Sequence, residues 1–177
     1  MRPEKIDSLV DLYGNSLYKF CRKLTANKVD ADDLYQETFL KGVEQCHKID
    51  ESNNPKGYLI SISIYIWKSN RRKYARRQNL APDMDMDDSF LLSDDYNLEN
   101  DIVKRELYDC IKTAVNCLDD KFRIPIYMYY TVEMTVEDIA STLKIPSGTV
   151  KSRLYKARAL IKKRLEAVGY GSTSTST

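Results

Sequence analysis

The residues best suited to chemistry lie between Thr135 and Arg158. Thr135 stands as an N-cap with Glu137 and Asp138 close behind it, the pattern that satisfies the open amides of a first helical turn. Ile139, Ala140 and Leu143 form the buried face of that short helix, and Lys144 to Pro146 reads as a turn. Ser147 is expected to cap the next helix, in which Val150, Leu154, Ala157, Ile161 and Leu165 point inward. Lys151, Ser152, Tyr155, Lys156 and Arg158 are then left largely outward. From Lys144 to Arg164 there are eight bases and no acid. One-sided charge on the second helix of a helix-turn-helix points to DNA: cations neutralise phosphates, and the helix enters a major groove. Gly148 and Thr149 let the backbone approach a phosphate oxygen, while Lys151, Ser152, Tyr155 and Lys156 reach base edges, with Arg153 and Arg158 in the same set.

A second block carries a related chemistry. Lys68, Arg71, Arg72, Lys73, Arg76 and Arg77 are six bases without an acid, interleaved with Trp67 and Tyr74 and preceded by Tyr65. Cations for the backbone and rings for unpaired bases are what a single strand needs, each stacked base being worth ~1–3 kcal/mol. Against this, Tyr58, Tyr65 and Trp67 alternate with Ile62, Ile64 and Ile66, so at least two of these aromatics are expected in the core. A third patch is acidic: on a helix beginning near Asp30, Asp33, Gln36 and Glu37 share one face, with Leu34, Phe39 and Leu40 supplying apolar contacts.

These blocks need helices to hold them, and apolar residues recurring at three and four predict helices throughout, with no strand pattern. The first runs from about Pro3 to Thr25 on a stripe of Ile6, Leu9, Val10, Tyr13, Leu17, Phe20, Cys21 and Leu24. After a short turn at Asn27 and Lys28, Asp30 is the expected N-cap of the second, which reaches about Cys46. Pro55, at or near the first position, starts a third from about Lys56 to Gln78. Ile102 to Leu118 and Phe122 to Tyr130 give two core helices, the second holding Pro125 where a kink is possible. Between Arg77 and Lys104 there is no base, while Asp83, Asp85, Asp87, Asp88, Asp94, Asp95, Glu99 and Asp101 are acidic. The expected fold is all-α: two helical domains, residues 1–80 and 102–168, a flexible acidic linker over 81–101, and a frayed Ser/Thr tail over 169–177.

Composition narrows the classes. Twenty-eight Lys and Arg against twenty-six Asp and Glu leave a net charge of +2, so charge distribution, not its total, points to partners. The longest apolar run, Tyr58 to Trp67, is far short of the ~20 residues of a membrane span. The first residues lack the apolar segment of a signal peptide, which leads to an expectation of a cytoplasmic protein. Cys21, Cys46, Cys110 and Cys117 include no CxxC pair, and His47 is the lone histidine, so no metal or other cofactor is expected. Cys21, Cys110 and Cys117 read as small buried hydrophobes. With no Gly-rich phosphate loop and no GxSxG, an enzyme lacks its parts.

Four blocks of the chain together resemble the extracytoplasmic-function (group 4) sigma factors of bacterial RNA polymerase. Thr135 to Arg158 looks like region 4.2, the promoter −35 reader, its Ile-Pro-Ser-Gly-Thr-Val-Lys-Ser-Arg matching the family's run. Leu118 to Thr131 looks like region 4.1. Asp30 to Phe39 looks like region 2.2, and Asn54 to Leu59 through Arg77 looks like regions 2.3 and 2.4. The resemblance implies a promoter-specificity subunit. Asp33, Leu34, Gln36 and Glu37 would dock on the clamp helices of the polymerase largest subunit. Tyr65, Trp67, Lys68, Arg71, Arg72, Lys73, Arg76 and Arg77 would open and hold the −10 element. Gly148, Thr149, Lys151, Ser152, Arg153, Tyr155, Lys156 and Arg158 would read the −35 element. Family members often carry an Asn near the position of Tyr65; this chain does not. The implied partners are RNA polymerase core, promoter DNA and an anti-sigma factor, commonly membrane-anchored, with a monomer expected when the protein is free of them. The rival is a dimeric DNA-binding regulator with a palindromic operator, which would need neither the acidic patch nor the second basic block. A purely protein-binding scaffold would leave both basic blocks as solvated faces.

Overall fold

The computed structural model describes residues 6–45, 54–80 and 102–170 of the 177-residue chain. Among the described residues there are seven helices and no strand: α1 Ile6–Leu24, α2 Lys28–Glu44, α3 Pro55–Leu80, α4 Ile102–Asn116, α5 Asp120–Tyr130, α6 Val136–Leu143 and α7 Ser147–Ala167. The expected acidic linker, the tail beyond Tyr170, Cys46 and His47 lie outside the described residues.

Helices α1, α2 and α3 pack together around Leu17, Phe20, Cys21, Leu34, Leu59 and Ile60. Helices α4 to α7 form the second unit around Met128, Val132, Ile139, Val150 and Leu154. The two meet where α3 packs on α6 and α1 on α5. This explains the first half of α3: Leu59, Ile60, Ile62, Ser63, Ile64, Ile66 and Trp67 are all buried, because the helix is covered by its own unit and also by the other. A helix apolar all round belongs inside. No helix among the described residues is long and apolar enough to cross a membrane.

Local chemistry moves several of the expected helix starts. Asn27, not Asp30, caps α2: its side chain accepts from the Asp30 amide at 2.8 Å, and its Nδ2 donates to the Asp30 carboxylate at 3.0 Å. Asp30 is thus the third helical residue, its carboxylate accepting from the side chain of the cap rather than capping the helix itself. Pro55 opens α3 as expected, with Asn54 accepting from the Gly57 amide at 2.7 Å. At α7 the cap position is Pro146, with Ser147 the first helical residue and no side-chain cap bond. Pro125 lies buried within α5, a continuous helix.

Two further expectations change. Cys117 is exposed and Cys110 half-buried, leaving Cys21 as the buried thiol of the three. Gly169 and Tyr170 are ordered onto the end of α7: Gly169 takes φ +90°, and the Tyr170 amide donates to Leu165 O at 2.8 Å, a left-handed glycine closing the helix.

Candidate nucleic-acid interface

The helix-turn-helix is α6, a turn and α7. Thr135 Oγ1 accepts from the Asp138 amide at 3.1 Å, and the Asp138 carboxylate reaches back to the Thr135 amide at 3.4 Å. The capping box therefore fixes where α6 begins. Lys144 then takes the left-handed conformation, φ 54°, and turns the chain toward α7. Val150, Leu154 and Ala157 are buried, which sets the rotation of α7 and leaves Lys151, Ser152, Tyr155, Lys156 and Arg158 exposed. Tyr155 is 74% exposed, a large ring facing solvent on a basic helix. Gly148 is exposed, and Thr149 and Arg153 are half-buried. Nothing lies within 4 Å of where a Cβ on Gly148 would stand, so the backbone there is open to approach. Arg158 is anchored, its Nε donating to the Tyr130 hydroxyl at 2.8 Å.

The second block divides along α3. Lys68, Arg71, Arg72, Lys73, Arg76 and Arg77 are exposed, as are Tyr65 at 62% and Tyr74 at 44%. No acid occurs anywhere in the 26 residues of α3. Trp67 is different: only 7% exposed, it sits under two guanidinium groups, Arg71 at 4.7 Å and Arg123 at 5.7 Å from its ring. Arg71 in turn pairs with Asp120 at 2.7 Å. Of the three aromatics, Trp67 is buried and Tyr58 packs half-buried against the core, while Tyr65 faces out.

On α2 the acids separate by task. Asp30 serves the cap, and Asp32 accepts from the Tyr18 hydroxyl at 2.8 Å, a bond that pushes the phenol's pKa up. Asp33, Gln36 and Glu37 are exposed on one face. Leu34 is 4% exposed and turns into the core, so it is no part of that surface. Leu40, one turn beyond Gln36 and Glu37, is 65% exposed and is the apolar member of the patch. Phe39 is half-buried, its ring edge-on to Tyr35 at 5.0 Å between centroids.

Residues 9–77 match the family model of sigma-70 region 2, and residues 108–161 that of sigma-70 region 4. The chain belongs to the sigma-70 family, in its extracytoplasmic-function group. The first match takes in nearly all of α1 to α3, and the second runs from α4 into α7, so the acid-rich stretch falls between them. Among similar proteins, the sigma factor SigW of Bacillus subtilis is 26% identical over 162 residues, covering 89% of this chain and 87% of SigW. SigM of the same organism is 24% identical over 157 residues, covering 89% and 93%. The fold is shared with the sigma factor RpoE of Bartonella quintana, solved in complex with the anti-sigma factor NepR: TM-score 0.75, 23% identity, 92% of this chain and 98% of that one. CnrH, solved with the cytosolic domain of CnrY, gives 0.67 at 20% identity, covering 93% and 89%. As a sigma factor the chain acts in promoter-specific transcription initiation with RNA polymerase, and is not an enzyme.

Three residues that contact these blocks escaped the sequence. Asp120 and Arg123, on α5, meet the α3 basic block from 49 and 56 positions away, with no local signal to announce them. Tyr130 read as core, yet it is 57% exposed and holds Arg158.

Proposed function

We propose that this sigma factor docks on the clamp helices of the polymerase largest subunit through Asp33, Gln36, Glu37 and Leu40. It would hold the −10 strand with Tyr65 and the bases of α3 from Lys68 to Arg77, and read the −35 duplex with α7. The observation that carries this division is the pair of basic surfaces, one acid-free on α3 beside exposed aromatic rings and one acid-free from Lys144 to Arg164 along the second helix of the helix-turn-helix. Rings beside a dense run of cations suit unpaired bases, whereas the exposed second helix of a helix-turn-helix suits a groove. Each contact alone is weak, and joining both through polymerase makes the second one intramolecular. The domains we assign are residues 1–80 and 102–168, joined by the acidic stretch 81–101.

We further infer a cytoplasmic protein, monomeric when alone, that is held inactive by an anti-sigma factor. Two proteins of the same fold are solved in complex with NepR and with the cytosolic domain of CnrY. A membrane-anchored inhibitor would place this chain at the membrane without inserting it.

The test mixes purified protein with bacterial core polymerase and a genomic promoter library, and sequences the transcripts. Initiation that depends on the protein, at sites sharing paired −10 and −35 elements, is the expected result. Absence of core association, with a dimer binding a palindrome instead, would replace this function with that of a dimeric regulator.

A further inference from the structure

The two units of the chain are packed together, and the contact falls on the surface assigned to the −10 strand. Arg71 Nη1 donates to the Asp120 carboxylate at 2.7 Å, across 49 residues of sequence. A carboxylate on a guanidinium occupies the place a phosphate oxygen would take, with the same charge and a similar bond. Arg123, held by the same Asp120 at 2.6 Å, also lies over the Trp67 ring, 5.7 Å from its centroid, and the ring is only 7% exposed. A buried ring has no face to offer an unpaired base.

The contact continues along α3. Lys56 Nζ donates to Val132 O, and Asn54 Nδ2 donates to the Asp138 carboxylate at 3.0 Å. Gly57 lies so close to α6 that a Cβ there would collide with the Thr142 hydroxyl. That hydroxyl is buried and has no hydrogen-bond partner among the described residues, as is Arg123 Nε. Buried polar groups without partners weaken a contact, and the Arg71 and Asp120 side chains remain 56% and 35% exposed, where an ion pair adds little. The junction is therefore suited to opening. Meanwhile Lys151, Ser152, Tyr155 and Lys156 on α7 stay exposed.

We propose that this arrangement is an autoinhibited state in which α5 acts as a built-in competitor for the −10 strand: Asp120 takes the phosphate's place on Arg71, and Arg123 covers Trp67. Separation of the two units uncovers the strand site, while the −35 helix is available throughout. The proposal rests on the −10 assignment of α3 given above.

The chain's single tryptophan, Trp67, reports the contact. Asp120→Asn and Lys56→Ala, separately and together, are compared with the unaltered full chain by acrylamide quenching of Trp67. Their binding to a labelled single-stranded oligonucleotide carrying the −10 sequence, and to a −35 duplex, is measured in parallel. The expected result is stronger quenching and about two- to fivefold tighter strand binding per contact removed, unchanged duplex affinity, and unchanged transcription once assembled with core polymerase. Variants that fold cooperatively yet keep the original quenching and strand affinity would overturn the proposal. In the assembled enzyme, Arg71→Ala is expected to lower open-complex formation. If it does so while the other variants change nothing, the competitor is refuted and the −10 assignment stands; if it has no effect, the −10 assignment fails and the inhibitory meaning of the contact fails with it.

Discussion

Arg158 on α7 donates through Nε to the hydroxyl of Tyr130 on α5 at 2.8 Å, and its guanidinium lies 5.5 and 5.7 Å from the ring centroids of Tyr129 and Tyr130. The recognition helix is thereby tied to its neighbour by one of its own cations. A guanidinium held through Nε keeps its terminal N–H groups for a second acceptor, such as a phosphate. Tyr130→Phe preserves the ring and removes the bond, so −35 binding by the assembled polymerase should weaken by about 1 kcal/mol, roughly fivefold. Promoter titration measures it, and an affinity equal to the unaltered protein's would show that Tyr130 does not position Arg158.

Lys151 and Lys156 are exposed on the same helix and carry the −35 assignment most directly. Replacing each with Ala should reduce transcription from the cognate promoter. If either meets a phosphate, the slope of log affinity against log salt should fall by about one unit for that contact. A base-edge contact would instead relax sequence preference at one position.

Asp33, Glu37 and Leu40 are exposed on α2, whereas Leu34 is buried beneath them. Asp33→Ala, Glu37→Ala and Leu40→Ala should each lower core-polymerase retention in a pull-down at unchanged melting temperature. Leu34→Ala should act oppositely, costing about 2–5 kcal/mol of stability in urea titration, while its folded fraction still binds core. Loss of core binding by Leu34→Ala at full stability would place that side chain in the interface after all.

The capping box at Thr135 sets the start of α6. Thr135→Ala should destabilise the fold by about 1 kcal/mol, and Thr135→Ser should restore most of it. Chemical denaturation of the three proteins gives the comparison.

Burial pushes the Cys21 thiol up to about 12 from an ordinary value of 9.0. Native protein should therefore alkylate at exposed Cys117 and leave Cys21 intact until the chain unfolds. The unfolded chain ionises Cys21 first, so this group's contribution to stability is complete below about pH 9 and lost as pH rises toward 12. Peptide mapping after a timed iodoacetamide pulse reads the first effect, and urea midpoints between pH 8 and 10.5 the second.

Features carried by neighbouring residues were legible in the sequence. The 3.6-residue recurrence of Val150, Leu154 and Ala157 defines one face of α7, and the Thr135 and Asp138 pair marks the start of α6, because helix registry and caps depend on atoms three and four positions apart. Even so, a choice between two local options misled: Asn27 and Asp30 are both good caps, and the bond each makes to the other is satisfied only with Asn27 outside the helix.

What covers a face, in contrast, is decided by an element far along the chain. Leu34 and Leu40 are the same residue type on the same helix, and only the packing of α1 and α3 against one side of α2 buries the first and exposes the second. Trp67 beside six bases has the composition of a stacking site, yet α5 arrives with Arg123 and Asp120 and encloses it. Helical periodicity is a short-range property of the backbone and can be read in order. Burial and ion pairing between residues 49 positions apart exist only once the two units meet, so the tertiary structure alone determined which of these residues face the solvent.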